Sequence, residues 1–203
     1  MPLKTRYPVQ IDGNTVPYPS RHDEIRCNYG FLDLRGKPEL VDEVPETLES
    51  LSLKRLLTIL ADPLSQIMTV GCDLGEHIER KRQLSRRHVA GGYIQIAPLP
   101  VGAADKERLL AIARVADTKL RADSKDAWWE VDFKLSLTAF EFDDHVEAHT
   151  IWIWFFASAS TSEKALSSRE ALLSSLCSGL KAAAGLSVQE VVTMASLRPV
   201  KGL

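Results

Sequence analysis

The densest group of ligand-type side chains is Asp143-Asp144-His145-Val146-Glu147-Ala148-His149, two imidazoles and three carboxylates in seven positions. Imidazole and carboxylate hold zinc or another divalent ion when their geometry converges. In an extended segment His145, Glu147 and His149 share one face, because strand side chains alternate with a period of two. These three are the candidate metal ligands. The same segment also reads as a turn between two strands, where polar residues gather anyway, so the spacing alone specifies no metal.

A second cluster lies in Glu79-Arg80-Lys81-Arg82-Gln83-Leu84-Ser85-Arg86-Arg87-His88. Arg80, Lys81, Arg82, Arg86 and Arg87 are the candidate polyanion-binding residues, since guanidinium forks grip phosphates and the attraction is electrostatic and salt-sensitive. A projecting charged hairpin is equally the form of ordinary solvated surface, or of a surface that meets an acidic protein. Nucleic acid is therefore an alternative partner, and a protein surface the other.

The aromatic residues form the third group. Trp152, Trp154, Phe155 and Phe156 follow one another on one segment, with Trp128-Trp129 upstream. Aromatics stack bases, anchor interfaces and, most often, fill cores. On a strand, Trp152 and Trp154 face opposite to Ile153 and Phe155. If helices cover only one sheet face, the other is an apolar patch that calls for a partner. With Tyr7 and Tyr18 of the N-terminal segment, Trp152 and Trp154 are the candidate interface residues.

Known catalytic patterns are missing: the chain has no GxSxG, GxxxxGK[ST], HExxH or GxGxxG. Cys72 and His77 nominally suggest a thiol–imidazole pair, yet Cys72 falls in an apolar alternation that suits a small buried residue. No cofactor is expected, and a non-enzyme is favoured over an enzyme with a site near 143–149.

The elements that must position these groups are legible from spacing. The 203 residues are 45% hydrophobic and 26% charged, with 25 Lys+Arg against 27 Asp+Glu, which suits a folded chain and excludes a globally basic coat. Cys27, Cys72 and Cys177 lie far apart without CxxC spacing, a reduced pattern that points to the cytoplasm. The longest apolar run, Ile151 to Ala159, is too short to span a membrane, and no membrane partner is expected.

Residues 1–45 read as a proline-rich arm that excludes a helix or a central strand. Within it, Val9-Gln10-Ile11 and Thr15-Val16 around Asp12-Gly13-Asn14 predict a small hairpin, and Tyr29 to Leu34 suits one more short strand. The arm either packs on its own domain or grasps a partner. Residues 46–203 form the α+β domain. Glu46 to Ala61 predicts one helix, broken near Ser50. Gln66 to Ile78 predicts a strand with Met68, Val70, Cys72 and Leu74 on one face, and Val89 to Pro98 predicts its partner. Ala104 to Arg121 predicts an amphipathic helix with Asp117 on its exposed side.

The second unit repeats the pattern. Trp129 to Thr138 alternates as a strand with one solvated face, Ile151 to Phe156 is apolar on both faces and so either central or covered by another element or subunit, and Ser167 to Gly185 is a helix opened by a capping box at Ser167 and Glu170. In residues 187–197, Ser187 and Glu190 suit another capping box while Val188, Val191 and Val192 suit a strand, so both readings stay open with the strand favoured. The expected fold is thus an α+β antiparallel sheet built from two successive ββα units, about 66–121 and 128–185, with helices mainly on one face. This order, over about residues 46–185, resembles at fold level that of the small chaperones of type III secretion, which implies self-association and the holding of extended segments. Those chaperones are strongly acidic with an extra strand, whereas this chain is nearly neutral and carries an arm. The arm, the doubly apolar strand and the missing motifs lead to a non-catalytic interaction or assembly subunit, self-associating or part of a complex.

Overall fold

The computed structural model describes residues 3–6, 14–22, 27–79, 87–101, 106–124, 127–142 and 145–184. The chain runs β1 (Lys4–Arg6), β2 (Thr15–Val16), β3 (Arg21–His22), β4 (Cys27–Asn28), two 3-10 turns (Pro38–Glu43 and Pro45–Leu48), α1 (Leu51–Leu60), β5 (Ile67–Glu79), β6 (Arg87–Pro98), α2 (Lys106–Asp123), β7 (Trp129–Phe140), β8 (Val146–Ala159) and α3 (Ser162–Ala184). The fold is mixed α+β with a six-stranded sheet.

Two antiparallel hairpins, β5–β6 and β7–β8, meet through their second strands, so the sheet order is β7-β8-β6-β5. β1 and β2 both run parallel along the free side of β7, with Lys4 opposite Glu130 and Val16 opposite Phe140. Ile94, Ile96, Val131, Phe133, Ile151, Ile153 and Phe155 point to one face, where they pack with leucines of all three helices in a single core. α2 and α3 approach closely where Gly179 faces Ala116: a Cβ on Gly179 would lie 2.8 Å from the Ala116 Cα. Among the described residues, no helix is long and apolar enough to cross a membrane.

Several local expectations are corrected. The proline-rich stretch does hold helical turns, with Pro38 and Pro45 in first-turn positions where a missing N–H costs nothing. The break near Ser50 is present: its Oγ accepts from the Leu53 N–H at 3.0 Å and caps α1. Tyr29 to Leu34 is not a strand; Phe31 and Leu34 use it to reach two different clusters. Thr15-Val16 is a strand, but it joins β7; residues 9–13 of the expected hairpin, like residues 187–197, lie outside the described residues.

The face assignment along β5 changes midway. A bulge between Thr69 and Gly71 shifts the register, so Met68 and Val70 join a cluster on the face away from the helices, while Cys72 and Leu74 pack towards them. α3 begins at Ser162, with the Thr161 hydroxyl accepting from the Lys164 N–H at 3.3 Å, and Ser167 lies inside it. Glu170 caps a different helix: its carboxylate accepts from the Ser52 N–H at 3.1 Å, beside the positive end of α1. Asp117 is buried, accepting from Thr5 Oγ1 at 2.7 Å and Arg121 Nε at 2.9 Å, which ties β1 to α2. Arg108 is buried as well and donates to the carbonyls of Leu99 and Gln66.

Candidate functional site

With the helices on one face, the opposite, outer face of the sheet divides into three zones. At one end, Val16, Met68, Val70, Ala97, Phe140 and Ala148 form a second, smaller core. The arm seals it: Tyr18 meets Phe31 edge to face at 6.0 Å, Phe31 stacks on Phe142 at 5.5 Å, and the Arg35 guanidinium lies 4.2 Å over the Phe142 ring. By Leu34 the chain has passed to the helix-side core. The described parts of the arm therefore pack on their own domain.

Next to this zone is a buried polar layer. Gln95 Nε2 lies 2.8 Å from Thr150 Oγ1, 3.2 Å from Thr138 Oγ1 and 3.0 Å from Asn14 Oδ1, while Asn14 Nδ2 donates to Gln95 Oε1 at 3.2 Å. Thr138 also bonds Asn14 Oδ1 and Thr150 Oγ1. The side of β7 read as solvated is thus partly buried: Ser136 and Thr138 are inaccessible, because the arm covers that end.

The middle of the outer face carries an aromatic cluster. Tyr93 sits against Trp152 and Trp154 with ring centroids 4.7 and 5.0 Å away, and the two indoles stack at 6.0 Å. All three are half-buried. The Lys134 ammonium lies 5.3 Å from the Trp154 centroid, a cation–π contact. Neither indole N–H has a hydrogen-bond partner among the described residues, although both are shielded from solvent.

Beside this cluster a cleft of about 970 Å³ opens between the arm, the 3-10 turns and β5. Tyr18, Tyr29, Phe31, Tyr93 and Trp154 supply its aromatic lining, and Glu43, Glu46 and Asp73 supply carboxylates. Tyr18 Oη donates to the Val70 carbonyl at 3.3 Å across Gly71, where a Cβ would lie only 2.8 Å from that oxygen, so a side chain at 71 would displace the wall. Burial pushes the Tyr18 phenol up to about 12, with Cys72 and Glu46 adding to it, and raises Tyr93 as well. Glu46 is raised from the usual carboxylate value by burial and by the charges of Asp73 and Glu49. Burial, then Glu46 and Asp73, hold the Cys72 thiol far above its usual value, so it is no nucleophile near neutral pH.

The site residues singled out in the sequence distribute unevenly. Tyr18 and Trp154 come together in the lining of one cleft, and Trp152 adjoins it through Tyr93. Tyr7, Arg80, Lys81, Arg82 and Arg86 lie outside the described residues; the Arg87 backbone opens β6 opposite Glu79. His145 is exposed in the turn at φ 56°, Glu147 is exposed on β8 and His149 is half-buried. Among the described residues, no three His, Cys, Asp or Glu are grouped to hold a metal ion. Sequence reading did not single out Gln95, Tyr93 or Glu46. The first two alternate with Ile94 and Ile96, so their face was readable but not what covers it.

Comparison of the chain with protein-family models, curated proteins and solved structures gave no match.

Proposed function

We propose that this protein is a non-catalytic interaction subunit that receives a protein partner, another chain or a second copy, on the outer face of its sheet. The observation that carries this reading is the asymmetry of the sheet. Three helices bury one face, while the other leaves Tyr93, Trp152 and Trp154 half-buried beside an open cleft. Large rigid aromatics at a partly desolvated surface gain most from being covered, and they dominate interface energetics where they occur.

The test pairs light scattering at micromolar concentration with affinity capture, for the wild type and for Tyr93→Gln and Trp154→Gln variants whose thermal unfolding confirms that they fold. The reading expects an oligomer or a captured partner that both variants lose. A monodisperse monomer that captures nothing, or a partner retained by both variants, would overturn it.

A further inference from the structure

We infer that the N-terminal arm is a guard strand: docked along β7, it keeps that edge of the sheet from pairing with the same edge of a second copy of this chain, and Asn14 is the latch that holds it there. The inference concerns the sheet edge and stands apart from the outer-face reading above.

The two sides of the sheet are protected differently. β5, the last strand on one side, carries a bulge between Thr69 and Gly71, and a bulge twists an edge away from flat pairing. β7 has no such device. It is 12 residues long, against about 5–6 for an ordinary strand, and it pairs with β8 from Trp129 to Phe140 without a register shift. Val131, Phe133 and Leu135 give it an apolar face. A long, regular, apolar strand whose outer backbone is free pairs readily with its own copy, because unpaired N–H and C=O groups seek partners and an identical edge supplies them.

The arm occupies that backbone. Lys4–Arg6 pairs in parallel with Glu130–Asp132, and Thr15–Val16 with Ala139–Phe140. The Ala139 and Glu141 amides donate to the Asn14 and Val16 carbonyls at 2.9 and 2.8 Å. Both described stretches are short, so side chains anchor them. Leu3 enters the helix-side core, Val16 enters the second core, and Thr5 donates to the buried Asp117. Asn14 does most to hold the arm. Its amide exchanges two hydrogen bonds with the buried Gln95 amide, and its Oδ1 also accepts from the Thr138 hydroxyl. Withdrawing Asn14 leaves buried polar groups short of partners, which favours the docked arm. A tethered arm also acts at an effective concentration on the order of millimolar, well above that of a second copy in micromolar solution.

The test uses the full chain carrying Asn14→Ala or Asn14→Asp, each shown to fold by thermal unfolding. Hydrogen exchange at the Ala139 and Glu141 amides reports the arm, and sedimentation across the micromolar range reports association. The inference expects both amides to exchange about tenfold faster and self-association to strengthen by a similar factor. An excess of the peptide of residues 1–18 should reverse the gain, and adding Tyr93→Gln should leave it in place. Each of four outcomes would overturn the inference: unchanged exchange in both variants, faster exchange with wild-type association, a gain that the peptide does not reverse, or a gain that Tyr93→Gln abolishes. The last would assign the association to the outer face. An edge gain in a chain whose outer face captures nothing leaves the guard strand standing alone.

Discussion

Thr150→Val should destabilise the protein by about 1–2 kcal/mol and loosen the arm. The Thr150 hydroxyl is fully buried, 2.8 Å from Gln95 Nε2 and 2.9 Å from Thr138 Oγ1. Valine has nearly the same shape, so the packing survives and the loss is polar. Each such bond contributes about 1 kcal/mol net, and the Gln95 amide loses its shortest acceptor, keeping Asn14 Oδ1 at 3.0 Å and Thr138 Oγ1 at 3.2 Å. The methyl that replaces the hydroxyl returns less than about 0.8 kcal/mol. Gln95→Leu removes the hub but leaves Thr138 bonded to both Thr150 and Asn14. In that background Thr150→Val forfeits only the threonine pair, so the two substitutions should couple by about 1 kcal/mol. Urea denaturation of the four proteins in the cycle measures this. Hydrogen exchange at the Ala139 amide, which donates to the Asn14 carbonyl at 2.9 Å, reports the arm directly and should speed up in each variant. Additive effects together with unchanged Ala139 exchange would refute the idea that this polar layer clamps the arm to β7.

Glu46→Gln should raise the melting temperature at neutral pH. The folded-state pKa of Glu46 is raised, so its contribution to stability is complete below the unfolded value and is lost as pH rises through the folded one. The advantage of glutamine should therefore vanish as pH falls below the usual glutamate range, and a melting series showing the same difference at all pH values would contradict the assignment. Arg108→Met keeps the apolar stem but removes bonds of 2.9 and 3.2 Å to the Leu99 and Gln66 carbonyls. It should cost about 2–3 kcal/mol in chemical denaturation, and a neutral result would mean that those carbonyls find other donors.

Much of the fold was legible because it depends on spacing. The alternation Trp129, Val131, Phe133, Leu135 and the stripe Leu109, Ile112, Ala116, Leu120 each face the core as their periods require, although the alternation's next member, Leu137, lies beyond the core and is exposed. The bulge in β5 was not legible, because both of its faces meet apolar clusters and the hydrophobic pattern carries no mark of a register shift. Glu170 showed a capping signature, but the helix it caps is α1, 118 positions away in sequence. The burial of Arg108 leaves no mark in the helical spacing; only the approach of two carbonyls from the loops around β5 and β6 explains it.

The candidate site divides along the same line. The sequence by itself determined that Trp152 and Trp154 turn away from Ile153 and Phe155, since that follows from the two-residue repeat of any strand. Only the tertiary structure decided that β8 lies beside β6, which brings Tyr93 onto both indoles, and that the arm crosses the outer face to place Tyr18 and the turn bearing Glu46 against β5. Side-chain direction is a local property of backbone geometry, whereas a cleft is made by the pairing of segments far apart in the chain, and that pairing is set by the packing of the whole core.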